Sequence, residues 1–538
     1  MRSVVLPSPA TTALDLHRLL RNAIASGEKI LHLPAGDHHV EGTSLPEDLL
    51  WISNNDPGVK PILLDFQGAG NLTIEGNGCR ILVHGVLIPL LVRNAKNVTI
   101  RNLTIDWVRP AFTEVEVLRS GEGFFEIDSH GQLTTEAGRL VAVGGGDWPR
   151  AHLYNALSFD AARREPLGRS GENWSLERCH RASARPDGTI RVEADLGWIP
   201  PAGIPLVTMH GDRVAPAVVI DASEGVTLED VTIHHALGMG VIAQISRDVT
   251  LRRVQVMPAP GRLFSTWVDA THFVDCAGAI RLLDCTFRGM FDDGTNIHGA
   301  HRKIVEWLGP DRFVVQAMHH QQLGIPYHRA GDLCEFADLE TLASLGEARV
   351  AEVKIRNSRL QELRLEHPVP GLEGSILAVR KNDPDLMVEI SGCTIGNNRG
   401  RGMLLSVPGR IDVRGNTIHS SGNAIETPPD AAYWWESGPV QNLEISENIF
   451  DACGYAMCGT QVLVVTAPAG PSDLHGKVVF RDNDVRLAGA TFLTARRVRD
   501  LEVRGNTISR SSDYPWFDGP STELEAISNL HIDPLPQL

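Results

Sequence analysis

Apolar side chains fall at positions 1, 3 and 8 of an eight-residue unit that recurs along the chain. It reads LTIEGNGC (72–79), VTIRNLTI (98–105), VTLEDVTI (226–233), VTLRRVQV (249–256) and IRLLDCTF (280–287), and returns as VEISGCTI (388–395), IDVRGNTI (411–418), LEISENIF (443–450), VVFRDNDV (478–485) and LEVRGNTI (501–508). Alternation at positions 1 and 3 puts those side chains on one face of a strand. Turn-prone Asn, Gly and Asp near positions 5 and 6 bend the chain, and the apolar residue at 8 resumes inward packing.

The units start 26, 128, 23, 31, 108, 23, 32, 35 and 23 residues apart. A recurring period in the twenties signals a solenoid whose coils bury one another. Position 6 is Asn at 416, 448, 483 and 506, as a ladder of stacked amides requires. The pattern predicts an all-β chain built on a right-handed parallel β-helix, a pectin-lyase-like solenoid, with two β-barrel-like subdomains inserted at the long gaps. It divides the chain into an N-terminal cap with the first coils (1–106), an inserted subdomain (107–216), coils 217–299, a second insertion (300–385) and C-terminal coils (386–538). Strand-like alternation in GRLVAVGG and DRFVVQAM fits the insertions. TTALDLHRLLRNAIASGEK carries a helical repeat through Leu14, Leu16, Leu19, Leu20 and Ile24, with Gly27 to end it. A helix there would cap the open edge of the solenoid.

Composition narrows the function classes. The formal charge of −16 over 538 residues argues against a phosphate-binding surface, since nucleic-acid affinity comes mostly from Lys and Arg; a neutral partner such as a sugar fits better. No apolar run reaches the roughly 20 residues needed to span a bilayer, so no membrane partner is expected. Pro7 and Pro9 cut short the apolar start, leaving no signal-peptide core; as given, the chain reads as cytoplasmic, or as secreted or periplasmic with its leader trimmed. A homodimer is compatible with this reading. Eight cysteines form neither a disulfide framework nor a zinc pattern, and Cys453 and Cys458 in CGYAMC read as buried thiols. Neither metal nor cofactor is expected.

The candidate chemistry is a set of carboxylates. Asp269 and Asp292 stand 23 residues apart, one short coil, with Asp293 beside them. If the extra eight residues of the 31-residue coil lie in Pro258–Ser265, Asp269 and Asp292 stack on neighbouring coils, whose strands run about 4.8 Å apart. Carboxylates that close cannot all ionise, so one retains a proton near neutral pH. Glycosidic hydrolysis needs such a pair, one carboxyl to protonate the leaving oxygen and another to activate water or attack. Asp before Gly also makes ordinary turns, and acidic clusters on a β-helix also bind calcium. The polar company of His272, Asn296 and His298 favours catalysis.

DATHF (269–273) followed by DDGTNIHG (292–299) resembles the active-site pattern of glycoside hydrolase family 110, the α-1,3-galactosidases. Further similarities lie in ISNND (52–56), GNG (76–78), HG (84–85), GMGVIAQ (238–244), MHHQQLG (318–324), RGMLLS (401–406) and YWWESG (433–438). The resemblance implies a metal-free inverting hydrolase that takes galactose-terminated glycans, and it carries the catalytic role onto Asp269, Asp292 and Asp293. By analogy with polygalacturonases, Asp292 is expected as general acid and Asp269 with Asp293 as the water-activating base. Chemistry and resemblance together nominate Glu436 with Trp434 and Trp435 for the sugar, and His272, Asn296, His298 and Arg401 as hydroxyl partners. Two alternatives stay open: a polygalacturonase-like hydrolase of another sugar, and a non-catalytic glycan-binding β-helix of adhesin or tailspike type.

Overall fold

The computed structural model describes residues 12–144, 151–168, 174–175, 179–194, 198–210, 213–456 and 461–536. Residues 1–11, which bear on the leader reading, and Cys458 lie outside them. Among the described residues thirty-one strands join into the sheet of a right-handed β-helix, parallel except where Glu47–Leu50 meets Gly58–Asp65 and Thr295–Ala300 meets Glu436–Ser437; right is the hand that parallel crossovers almost always take. Position 1 of the ten octads stacks coil on coil from Leu72 through Val98, Val226, Val249, Ile280, Val388, Ile411, Leu443 and Val478 to Leu501. Position 3 follows in the same register, and these side chains form one buried column along the solenoid. The first octad departs at its end. Between Glu75 and Cys79 the register shifts, so Cys79 pairs with Leu103 and Ile81 with Ile105. Asn77, at φ 52°, leaves the ladder and donates to the Leu33 carbonyl instead.

The amide ladder forms at one bend. The side-chain oxygen of Asn448 accepts both the backbone N–H and the side-chain N–H of Asn416, each at 2.9 Å. Asn483 does the same for Asn448, and Asn506 for Asn483. Each amide also donates to a carbonyl of the preceding coil, such as Val413 for Asn448. The ladder thereby pairs the N–H and C=O groups that a bend strips from the sheet. Cys393 continues it, its N–H donating to Asn416, and Cys285 follows, its N–H directed at the Cys393 sulfur.

The helix Ala13–Ser26 caps the first coil, burying Ala13, Leu16, Leu20 and Ala23. Thr12 and Asp15 make a reciprocal capping box and Gly27 closes the helix at φ 70°, so both ends are satisfied locally. The first insertion, from Phe112–Gly121 to Pro205–His210, is a ten-stranded antiparallel sheet. The second is a closed six-stranded barrel from Arg302–Gly309 to Ala378–Lys381. Each has its own apolar cluster, around Phe125 and Val192 in the first and Phe313 and Phe336 in the second. Among the described residues no helix is long and apolar enough to cross a membrane.

Candidate active site

The cleft is assembled by the stacking of the strands Thr271–Val274, Thr295–Ala300, Met403–Ser406 and Ile425–Thr427. Their register puts Thr271 beside Thr295, Thr295 beside Met403, and Met403 beside Ile425. One row therefore reads His272, Asn296, Leu404 and Glu426, and a second row, just before the strands, reads Asp269, Asp293 and Arg401. All seven line one cavity of ≈ 210 Å³, with Asp292, Asn54, Arg213, Pro428, Asp430, Tyr433, Trp434 and Glu436.

The register corrects the expected stacking. Asp269 lies beside Asp293, not Asp292, because the coil repeats after 24 residues here: Thr271 pairs with Thr295. Val256 still pairs with Phe287, 31 residues on, so the loop after Val256 absorbs seven residues rather than eight. Asp292 consequently sits at the bend before its coil, its side chain 20% exposed, whereas those of Asp269 and Asp293 are 4% and 2% exposed.

Two backbone contacts lock the buried carboxylates. Oδ1 of Asp269 accepts the Asp293 N–H at 3.1 Å, and Oδ1 of Asp293 accepts the Arg401 N–H at 2.7 Å. The Arg401 guanidinium clamps Asp293 from both oxygens, at 2.9 Å each, the bidentate geometry that suits arginine. Gly400 makes the approach possible: a Cβ there would meet Asp293 Oδ1 and the Asp292 carbonyl carbon at 2.6 Å. Around Asp292 lie Arg213 at 3.6 Å and Arg399 and Arg401 at 3.9 Å.

Oxygens of the three aspartates come within 4.8 Å of one another. Burial, then the Asp292 charge, pushes Asp269 well above the usual carboxylate range. Burial pushes Asp293 to about 7 against the opposing Arg401, with Asp292 and Asp269 adding to the rise. The trio therefore holds at least one proton near neutral pH.

Behind Asp269 runs a chain of imidazoles. His272 Nδ1 lies 2.7 Å from Asp269 Oδ2, and its Nε2 lies 2.9 Å from Nε2 of His298. His298 Nδ1 donates to the Gly299 carbonyl at 2.6 Å. Burial depresses both rings to about 4. Glu436 accepts from Asn54 at 2.8 Å and Asn296 at 3.3 Å. Burial would raise its carboxyl, but His298, His272 and the two amides together hold it below its ordinary range.

Two groups bring enough donors together to pose the question of a metal: the aspartates, and His272 with His298 and Glu436. Arg401 already occupies both oxygens of Asp293. The two Nε2 atoms, 2.9 Å apart, are closer than the roughly 3.3 Å separating two imidazole nitrogens about a tetrahedral zinc. An ion would have to displace Arg401 from Asp293 in the first set and spread the two rings in the second.

The YWWESG stretch divides. Asp430 accepts the backbone N–H groups of Ala432, Tyr433, Trp434 and Trp435, and this folds the loop so that Trp434 faces the cleft, its ring against His319 and beneath Arg213. Trp435 turns away. It packs with Leu342, Ala378, Ala431 and Leu474, so it does not reach a sugar in the cleft. His298 is also set back, at the far side of His272. The other nominated residues line the cleft. Asn54, Arg213, Glu426, Asp430 and Tyr433 were missed. Asn54 lies inside the ISNND stretch; Arg213, at the return from the first insertion, belongs to no pattern.

On this parallel β-helix three carboxylates converge in one cleft, and glycoside hydrolases work with a pair of such carboxyls. Residues 312–372, in the barrel, match the family model GLAA-B beta-barrel domain II. The chain is 31% identical over 514 residues to an alpha-1,3-galactosidase A of Shewanella woodyi, covering 94% of this chain and 83% of that one. It is 30% identical over 510 residues to an alpha-1,3-galactosidase B of Bacteroides thetaiotaomicron, covering 91% and 82%. The chain belongs to the alpha-1,3-galactosidase family. Among solved structures it is similar to the A-module of the Azotobacter vinelandii mannuronan C-5 epimerase AlgE6, at 12% identity and a TM-score of 0.41, covering 98% of this chain and 96% of that one. It is also similar to a family 28 exopolygalacturonase of Yersinia enterocolitica, at 10% identity and a TM-score of 0.35, covering 94% and 74%.

Proposed function

We propose that this chain removes terminal α-1,3-linked galactose from glycans by single-displacement hydrolysis with inversion, using Asp269, Asp292 and Asp293. The observation that carries the reading is the trio itself, three carboxyls whose oxygens come within 4.8 Å of one another in a cavity of ≈ 210 Å³. Asp292, the most exposed of the three side chains, serves as the general acid, taking a proton that the trio holds and passing it to the oxygen that leaves C1. Asp269 and Asp293, fixed by backbone N–H groups, hold the water that attacks C1 from the other face. The Arg401 guanidinium keeps Asp293 oriented and, with Arg213, offsets the charge that remains once Asp292 gives up its proton. Glu436, held ionised by Asn54 and Asn296, accepts hydrogen bonds from sugar hydroxyls, and the Trp434 face takes the apolar side of the ring. No step requires a metal.

The test offers α-1,3-, α-1,4- and α-1,6-linked digalactosides to the protein, with and without chelator, and follows the first-formed galactose by NMR. Turnover confined to the α-1,3 linkage, insensitive to chelator and yielding the β-anomer first, is the expected result. An initial α-anomer overturns inversion, and absence of hydrolysis on all three overturns the enzymatic reading.

A further inference from the structure

His298 does not itself line the cleft, yet it is locked into line with Asp269 through His272. Hydrogen-bond counting along that line fixes where the protons are. The Gly299 carbonyl can only accept, so His298 Nδ1 carries a hydrogen. Its Nε2 then presents a lone pair, and the 2.9 Å contact with His272 Nε2 needs one proton between the two nitrogens. If His272 supplies it, His272 Nδ1 in turn presents a lone pair to Asp269 Oδ2 at 2.7 Å, and one proton must occupy that contact also. The line thus holds one proton per contact and runs in one direction, from Asp269 to the Gly299 carbonyl.

We propose that Asp269, His272 and His298 form a proton relay that takes up the proton of the attacking water and ends on the imidazole facing Glu436. The relay rests on the hydrolytic reading of the cleft and adds the destination of that proton. As a water lone pair forms the bond to C1, the C1–O electron pair leaves with the aglycone oxygen, which takes the proton of Asp292. The water proton passes to Asp269, the Oδ2 proton of Asp269 to His272 Nδ1, and the Nε2 proton of His272 to His298 Nε2. The product state holds an ionised Asp292 and a His298 imidazolium whose Nε2 lies 3.6 Å from Glu436 Oε1. When galactose leaves, the proton returns along the same line and across the trio to Asp292, restoring the starting state.

The charged surroundings suit a transient carrier. Asp269 faces Asp292, Asp293, Arg213 and Arg401. His272 faces Glu436, Arg213, Asp293 and Asp292, and His298 faces Glu436 and His272. Burial holds both rings neutral at rest, near 4, so the relay is empty before each turnover, while Glu436 supplies the counter-charge for the moment it is filled. His298 is accordingly a positioning residue that acts through His272.

Two measurements on the full chain test this. Histidine-selective ¹⁵N NMR of the wild type at pH 7, assigned with His272→Gln and His298→Gln, should show His272 protonated on Nε2 and His298 on Nδ1. In kinetics on the α-1,3-digalactoside, H298Q should lose at least about tenfold in kcat, the low side of general acid–base effects, with KM within about twofold. Glutamine can still bridge His272 and Gly299 but cannot carry a proton, so a purely structural role predicts near-normal kcat. Near-normal H298Q turnover, the same tautomer on both rings, or a stoichiometric metal ion bound between them overturns the relay. A wild type that hydrolyses no digalactoside defeats the hydrolytic reading instead, and the NMR then still decides the proton arrangement.

Discussion

At the scale of single residues, the three aspartates differ in what each supplies beyond charge. Asparagine in place of any one keeps size and hydrogen bonding but removes the ionisable oxygen, and kcat should fall at least about 10²-fold. The accompanying KM separates them. Asp292 anchors no backbone group, so D292N should leave KM unchanged. Asp293 clamps Arg401, so D293N should loosen a cleft wall and raise KM as well. Near-normal turnover in all three variants would remove the trio from the chemistry. The neighbouring tryptophans give a matched contrast. Trp434→Ala should raise KM with little change in stability, because that ring is half-exposed on the cleft. Trp435→Ala should cost about 3–5 kcal/mol of stability, the usual range for deleting a buried aromatic, and act on activity only through folding. Steady-state kinetics and urea melts distinguish them, and the reverse assignment would overturn the loop geometry. The aspartates were legible because a coil-length spacing is visible in a sequence. Their pairing was misplaced by one residue, since nothing in Pro258–Ser265 states whether the loop absorbs seven residues or eight. Trp435 was unreadable for a related reason: the direction of a loop side chain depends on Asp430 gathering four N–H groups, which no periodicity reports.

At the scale of elements, the octad carried most of the information. It specified strand, bend and resumption together, and its column of apolar residues survived both insertions because each coil pairs only with its neighbours. The amide ladder offers a graded test of that logic. Asn448 is buried between two other amides, and Asn448→Leu leaves the Asn416 N–H and the Val413 carbonyl without partners. A loss of roughly 1–3 kcal/mol per orphaned group is expected. Asn506 ends the ladder half-buried, where water can replace its bonds, so Asn506→Leu should cost visibly less. Equal losses at both sites in chemical denaturation would show that burial is not what gives the ladder its value. The first octad marks the limit of reading by pattern. LTIEGNGC fits the template, yet Asn77 and Gly78 use it for an extra turn near the end of the solenoid rather than for the ladder.

At the scale of the whole molecule, the insertions are not appendages, and their attachment makes stability depend on pH. The first insertion reaches the C-terminal coils through Glu165, which accepts from the Tyr514 hydroxyl at 2.6 Å and pairs with His419 at 2.7 Å. The barrel reaches them through buried Arg497, which donates to the Thr341 carbonyl at 2.7 Å. Neither tie was legible, since each joins segments more than 150 residues apart. For His419, burial opposes protonation, but Glu165 and the Asp451 carbonyl outweigh it and raise the ring above its ordinary value. A raised histidine stabilises fully below its unfolded value of about 6.5 and loses that contribution as pH rises through the folded value. Asp275 acts in the same direction for a different reason. Burial lifts its carboxyl to about 7, so between about 4 and 7 the native state keeps a proton that the unfolded chain releases, and stability falls across that window. A rise of about three units corresponds to at most about 4 kcal/mol. Buried histidines held neutral, their rings depressed to about 3 to 4, among them His210, His235, His272, His298 and His301, act in the opposite direction below about 6.5. The two groups are therefore read from the difference in melting temperature between variant and wild type from pH 5.5 to 8. Asp275→Asn, which keeps the acceptor for the Ala300 N–H without the titrating proton, should gain stability relative to the wild type as pH rises from 5.5 to 7. Glu165→Gln should fall short of the wild type mainly on the acid side, where the charged pair is complete, and the gap should close as pH rises above about 6.5. Differences from the wild type that stay constant from pH 5.5 to 8 would show that neither the Glu165–His419 tie nor the Asp275 proton contributes to the pH dependence of stability.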